Sequence, residues 1–196
     1  MARPYCTRMS GRNVDVVRTP VRLRDPSRRT VDRKLFLRFP RAAVVSARLI
    51  ARLPPRSRVR QAALRRDVGL SLEAYNRRDL DAVVASWDPQ FEYRPDQGWV
   101  QAGLVEPSYR GLRGYQRLVA ATAEVWGTEN YLSRAELIDL GDRVVVLAEG
   151  WMRGQRSGVS LTQPYALVST LRYGRPVRHQ EYFDHAKALR AVGLSG

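Results

Sequence analysis

Cysteine is nearly absent. Cys6 is the only one in 196 residues, which excludes an intrachain disulfide and a disulfide-framed secreted fold. A reducing, cytoplasmic setting is the expectation. Histidine is almost as scarce, with His179 and His185 alone, and the His-x-Glu spacing of His179 and Glu181 offers two metal ligands where a closed zinc site needs four. Phosphate loops, dinucleotide glycine patterns and nucleophile elbows are also missing, so neither metal nor cofactor is expected. No stretch reaches the ~18 apolar residues of a membrane span. The most apolar early stretch, Leu35 to Leu53, is broken by Arg38, Arg41, Arg48 and Arg52, which also excludes the apolar centre of a secretory signal.

Acidic residues are missing from the first third. Met1 to Arg60 holds 17 Lys+Arg against 3 Asp+Glu, whereas Gln61 to Gly196 holds 17 against 16. The net charge of +15 is therefore a property of residues 1–60, not of the whole chain. This segment also carries Pro4, Pro20, Pro26, Pro40, Pro54 and Pro55 and little periodicity, so an Arg-rich, largely disordered extension is expected. One stretch differs: Arg41 to Leu53 has the pattern of a short basic amphipathic helix, ended by Pro54 and Pro55. Nucleic acid, an anionic surface or a targeting receptor could recognise such a segment. A solvated tail or a misassigned start is the plainer account, because aromatic interleaving, zinc spacing and a helix-turn-helix pattern are all lacking.

From Gln61 the pattern becomes regular. Leu64, Val68, Leu72 and Tyr75 recur at helical spacing over 62–76. Asp79 is placed to cap a second helix with Leu80, Val83, Val84 and Trp87, stopped by Pro89. A strand over 91–94 precedes a loop from Pro95 to Pro107 that includes Trp99, long enough for a pocket rim or lid. A third helix spans Leu112 to Trp126, with Tyr115, Leu118, Val119 and Val125 on its apolar side. Four strands follow, 131–140, 143–153, 159–172 and 176–184, separated by turn signals that imply antiparallel pairing. Pro164 marks a bulge or bend. Asp184 to Val192 forms a closing helix. Trp87, Trp126 and Trp151 suit the core or rim.

Four strings carry a family resemblance: residues 74–81 with Trp87-Asp88-Pro89, Tyr109-Arg110-Gly111, residues 139–146, and residues 181–186 with Ala188-Leu189 and Gly193-Leu194. In this order they resemble the SnoaL-like branch of the nuclear transport factor 2-like, ketosteroid isomerase-like superfamily. The resemblance implies an α+β fold over 61–196. Its expected form is a cone-shaped, curved antiparallel sheet with three helices on the concave side, enclosing a pocket for a small hydrophobic molecule. It also implies a homodimer. Physically these strings are caps and turns, which argue for fold and not for chemistry.

Candidate chemistry comes from matching positions. The oxyanion Tyr of the ketosteroid isomerases falls on Ser71 and their base on Pro95, beside Asp96, which argues against that mechanism. The last strand puts Val177, His179, Glu181 and Phe183 on one face, and Glu181 matches the pocket carboxylate of the limonene-epoxide hydrolases. Glu181, His179 and Asp96 are the catalytic candidates; Tyr75, Trp99, Tyr115 and Phe183 are the ligand-contact candidates. Against an acid/base role, Glu181 could pair with an arginine of a neighbouring strand, such as Arg172 or Arg153. Two functions stay open. One is a pocket protein that only binds a small hydrophobic molecule. The other is a cofactor-independent isomerase, cyclase or hydrolase for a polyketide- or terpenoid-like substrate.

Overall fold

The computed structural model describes residues 17–23 and 31–195. In chain order the elements are β1 (Val17–Pro20), α1 (Val31–Arg38), α2 (Pro40–Ala51), α3 (Arg58–Asn76), α4 (Leu80–Val84), β2 (Glu92–Arg94) and α5 (Gln97–Gln101). They continue with β3 (Tyr109–Arg110), α6 (Gly111–Trp126), β4 (Tyr131–Asp139), β5 (Arg143–Arg153), β6 (Ser160–Arg172), β7 (Arg175–Tyr182) and α7 (His185–Ala191). Local chemistry sets many of these ends. Ser57, Asp79 and Asp184 each accept a hydrogen bond from a backbone N–H in the first turn of α3, α4 and α7, satisfying donors that a helix start leaves unpaired. Gly111 opens α6 at φ +60°, where a Cβ would meet the Pro89 carbonyl at 3.0 Å; glycine alone takes that conformation without strain.

The strands form one seven-stranded sheet in the order β1-β4-β5-β6-β7-β2-β3. Every pairing is antiparallel except β2 with β7, which runs parallel and sets Tyr93 opposite His179. The sheet is mixed, open and not strongly curled, which corrects the expected cone-shaped antiparallel sheet. Part of the reason lies at Pro164, which pairs with Glu149 in regular register; the irregularities fall instead between Ser133 and Glu136 and between Thr170 and Leu171. The β7 ladder reaches only as far as Ala166. Residues 160–165 of β6 are therefore edge on that side, where proline's missing N–H leaves no rung unmade.

Helices cover both faces. On one, α3, α4 and α6 pack on an apolar layer that includes Leu137, Val144, Val146 and Ala148 near β4 and β5, and Phe91, Tyr93 and Tyr109 near β2 and β3. On the other, Ile138, Val145, Leu147, Ala166 and Val168 meet Ala188, Leu189 and Val192 from α7 and its end. The alternation along β5 is the period of two expected of a strand buried on both faces. Helices are thus not confined to a concave side, a second correction.

The described part of the basic segment is not a largely disordered tail. β1 pairs in register with β4, Val17 opposite Asp139 through Pro20 opposite Glu136. The helix expected over 41–53 is present as α2, with Arg41 and Arg48 exposed and Val44 and Ile50 half-buried. Its carbonyl at Ala47 lies against Gly174 in the β6–β7 turn. Arg60, 3% exposed, ties these parts together. Its Nε and Nη2 donate to Asp139 Oδ2 at 2.6 Å and Oδ1 at 2.8 Å, and Nη2 also donates to the Gly141 carbonyl at 2.6 Å. Nη1 donates to the Ala51 and Leu53 carbonyls, each at 3.3 Å. This buried pair spans the compositional boundary at residue 60. The remaining residues of the basic segment, with Cys6, lie outside the described residues. Among the described residues, no helix is long and apolar enough to cross a membrane.

Candidate functional site

Glu181 lies on β7 with its side chain buried on the face covered by α3 and α6, where it lines a cavity of about 50 Å³. Tyr75, Trp99, Tyr115 and Phe183 line the same cavity, so the four aromatic candidates and Glu181 come together. Trp99, from α5 in the 95–107 loop, packs against Phe183 at 4.7 Å between ring centroids and stacks on Trp126 at 6.4 Å. The loop forms a rim, held by Asp96, whose carboxylate accepts from the N–H groups of Gly98 at 2.8 Å and Phe183 at 3.2 Å.

Two donors reach Glu181. The Tyr93 hydroxyl donates to Oε1 at 3.3 Å, and the Asp96 backbone N–H donates to Oε2 at 3.2 Å. The arginine pairing left open above is not what the structure has: Arg153 lies instead against Glu129 at 3.8 Å. Burial therefore dominates. It raises the Glu181 pKa to about 7, against the lowering effect of its two hydrogen bonds and with the help of the Asp96 charge. Desolvation also holds the Tyr93, Tyr115 and Tyr165 hydroxyls well above their usual range, with the Glu181 charge adding to each. At neutral pH they are protonated phenols, not phenolates.

Asp96 contributes its amide to Glu181, while its own carboxylate is occupied at the start of α5 and at Phe183. His179 is separated from Glu181. Tyr93 stands between them, its ring 5.8 Å from the imidazole and its hydroxyl on Glu181. The His179 ring packs on Trp87 at 3.9 Å, and its Nδ1 meets Ser169 Oγ at 2.9 Å. Burial without a countercharge lowers its pKa to about 3, so the imidazole is neutral. Its place is a different chamber from that of Glu181. Glu149, on β5, pairs with Arg134 at 3.1 Å at the surface, and Glu181 is the carboxylate that lines the cavity.

Sequence reasoning missed Tyr93, Tyr165 and Asn130. The Tyr93 and Tyr165 hydroxyls are 3.1 Å apart, extending the network from Glu181. The Tyr75 hydroxyl donates to Asn130 Oδ1 at 3.1 Å, and the Arg78 guanidinium lies 5.0 Å over the Tyr75 ring. Alternation along β6 was the available signal for Tyr165, which shares a face with Leu167 and Ser169. Nothing local signals Tyr93, since its position depends on β2 pairing with a strand more than eighty residues away.

No family model matches the chain, and no curated protein matches it. Solved structures do. TerC, co-crystallised with polyporic acid, is 25% identical with a TM-score of 0.55, covering 63% of this chain and 92% of that one. A nuclear transport factor 2-like protein of unknown function from Burkholderia pseudomallei is 27% identical, TM-score 0.54, covering 65% and 95%. One from Burkholderia thailandensis is 24% identical, TM-score 0.51, with the same coverage; it bears on fold alone. The chain thus has the fold of the nuclear transport factor 2-like superfamily, in which SnoaL-like and ketosteroid isomerase-like proteins are grouped.

Proposed function

We propose that the chain binds a small, largely apolar molecule in the aromatic cavity and exchanges a proton with it through Glu181, without a cofactor. One observation carries this: a carboxyl group buried among aromatic side chains, hydrogen-bonded by one hydroxyl and one amide, with its pKa raised to about 7. Such an acid is half ionised near neutrality, so it can take a proton from carbon or oxygen and return it, the condition for efficient acid/base catalysis. Tyr93, still protonated, steadies the carboxylate form. The Tyr75 and Tyr115 side chains supply the facing wall, and a carbonyl or enol of a polyketide-like or terpenoid-like molecule fits these groups. The likeness to TerC co-crystallised with polyporic acid supports a pocket for a small organic molecule. The homodimer implied by the resemblance belongs to the same proposal, and sedimentation velocity checks it.

A second reading has its own support. The free volume of about 50 Å³ is small, and both Glu181 oxygens already have donors, as expected of a group that only orients a ligand. Hydrogen–deuterium exchange separates the two. The full chain is incubated in deuterated buffer with cyclic enones, and label at the carbon next to the carbonyl is followed by NMR. Exchange that falls at least roughly 10²-fold in Glu181→Gln, with affinity kept within a few-fold, supports catalysis. Binding without exchange supports the ligand-binding reading, and absence of binding refutes both.

A further inference from the structure

Half of the exposed large apolar side chains among the described residues fall in one short part of the chain. Val31, Phe39, Val45, Leu49 and Val59 lie within residues 31–59, whereas the others are spread from Leu104 to Tyr173. The same part is unbalanced in charge. From Arg33 to Arg66 the sequence has eleven Lys+Arg and no acidic residue, so exposed apolar surface and uncompensated positive charge coincide.

Helix α2 shows how the two are arranged. Val44 and Ile50 are half-buried, and the Ala47 carbonyl lies against Gly174, so one side of the helix is already taken by the body of the protein. Arg41, Val45, Arg48, Leu49 and Arg52 are exposed, and their spacing places all five within about 100° of the helix circumference. Val45 and Leu49, 57% and 56% exposed, are four residues apart and therefore adjoin. Tyr173, 70% exposed, stands beside them in the β6–β7 turn, with the Arg48 guanidinium 5.5 Å over its ring. Among the described residues, no carboxylate pairs with Arg41, Arg48 or Arg52.

A single exposed leucine needs no explanation. Adjoining aliphatic side chains framed by three guanidinium groups ask for a partner that offers negative charge and apolar depth together. A nucleic-acid backbone takes the arginines but leaves Val45 and Leu49 nothing to enter. An anionic bilayer supplies both, with phosphates at its surface and the acyl boundary about 5–10 Å below. Arginine stems lie along apolar surface while their heads stay among the phosphates, and tyrosine suits the head-group level. We propose that the outer face of α2 docks on membranes rich in anionic lipid, with Val45, Leu49 and Tyr173 entering the head-group boundary and Arg41, Arg48 and Arg52 on the lipid phosphates. So few apolar groups make a reversible, peripheral attachment. It stands independently of any proton transfer at Glu181.

The test floats the full chain with vesicles of phosphatidylcholine alone and of phosphatidylcholine with about a third phosphatidylglycerol. Expected is binding to the anionic vesicles only, weakening as salt rises. Charge spread over the basic segment would give as much, so the deciding variant keeps every charge. Val45→Ser with Leu49→Ser should lower vesicle affinity about tenfold and leave binding to a DNA duplex unchanged. A nitrobenzoxadiazole probe on Leu49→Cys, with Cys6→Ser, should shift to the blue on anionic vesicles. The same probe on Val159→Cys, at the opposite end of β6 from Tyr173, should not. The proposal is overturned if the two serines leave vesicle affinity unchanged, or if the unmutated chain ignores anionic vesicles, whether or not it binds duplex DNA. It is also overturned if the Leu49 probe shifts to the blue with rising protein concentration and no vesicles, which assigns the face to a second copy of the chain. The vesicle comparison needs no variant, so it decides even where a substitution fails to fold.

Discussion

Replacing Glu181 by Gln makes the burial of this acid measurable as stability. Its pKa is about 7 in the folded chain and 4.5 unperturbed. Below pH 4.5 the acid is protonated in both states and burial carries no ionic penalty. Between those values the unfolded chain releases the proton and the folded chain keeps it, so stability falls as pH rises. Above about pH 7 the full difference is present. A gap of this size corresponds to about 3 kcal/mol at 1.36 kcal/mol for each pKa unit. His179 acts in the opposite sense. Its pKa is lowered to about 3 from 6.5, so its contribution is complete above pH 6.5 and is lost as pH falls. The two slopes oppose each other between pH 4.5 and 6.5, and a pH scan of the unmutated chain alone would hide both. The Gln variant isolates one of them. Gln keeps a carbonyl for one donor but sets an NH₂ against the other, costing about 1 kcal/mol at every pH. The variant is therefore expected to be slightly less stable near pH 4 and about 2 kcal/mol more stable near pH 8. Urea unfolding at several pH values, with the two chains compared at each, gives the curve. A stability difference that does not change across this range would refute the buried-acid account.

Three further outcomes are expected. Tyr93→Phe removes a donor that lowers the Glu181 pKa, so carbonyl-carbon NMR should show Glu181 titrating at higher pH than in the unmutated chain. Arg60→Ala leaves Asp139, fully buried at 0% side-chain exposure, without its bidentate partner; a loss of about 3–5 kcal/mol is expected in urea unfolding. Arg60→Leu combined with Asp139→Leu should recover much of that loss, because no uncompensated charge is left. Gly174→Ala places a Cβ against the Ala47 carbonyl at a position with φ +79°. It should lower stability by about 1–2 kcal/mol and speed proteolysis within α2.

Much of the local architecture was legible. The helix over 62–76, the Asp79 and Asp184 caps, the third helix to Trp126 and the four long strands all follow from apolar spacing and from cap and turn residues only a few positions apart. The α2 helix was legible for the same reason. In the described part of the basic segment, a single buried pair, Arg60 with Asp139, and a short edge strand, β1, outweigh what arginine content implies on average. Pro164 misled. Its tolerance depends on how far the neighbouring strand extends, which residues around it do not encode.

The sequence by itself determined the α+β class, the face of β7 shared by His179 and Glu181, and the aromatic residues available to line a pocket. These are consequences of periods of 2 and 3.6 along one chain. Tertiary structure decided how those residues are divided. Parallel pairing of β2 with β7 drives Tyr93 between His179 and Glu181, giving one a hydrogen-bonded, half-ionised carboxyl in the outer cavity and the other a neutral imidazole in an inner chamber. A strand's alternation states which side a residue faces. What it meets there, and whether it keeps its charge, depends on the partners that distant segments bring.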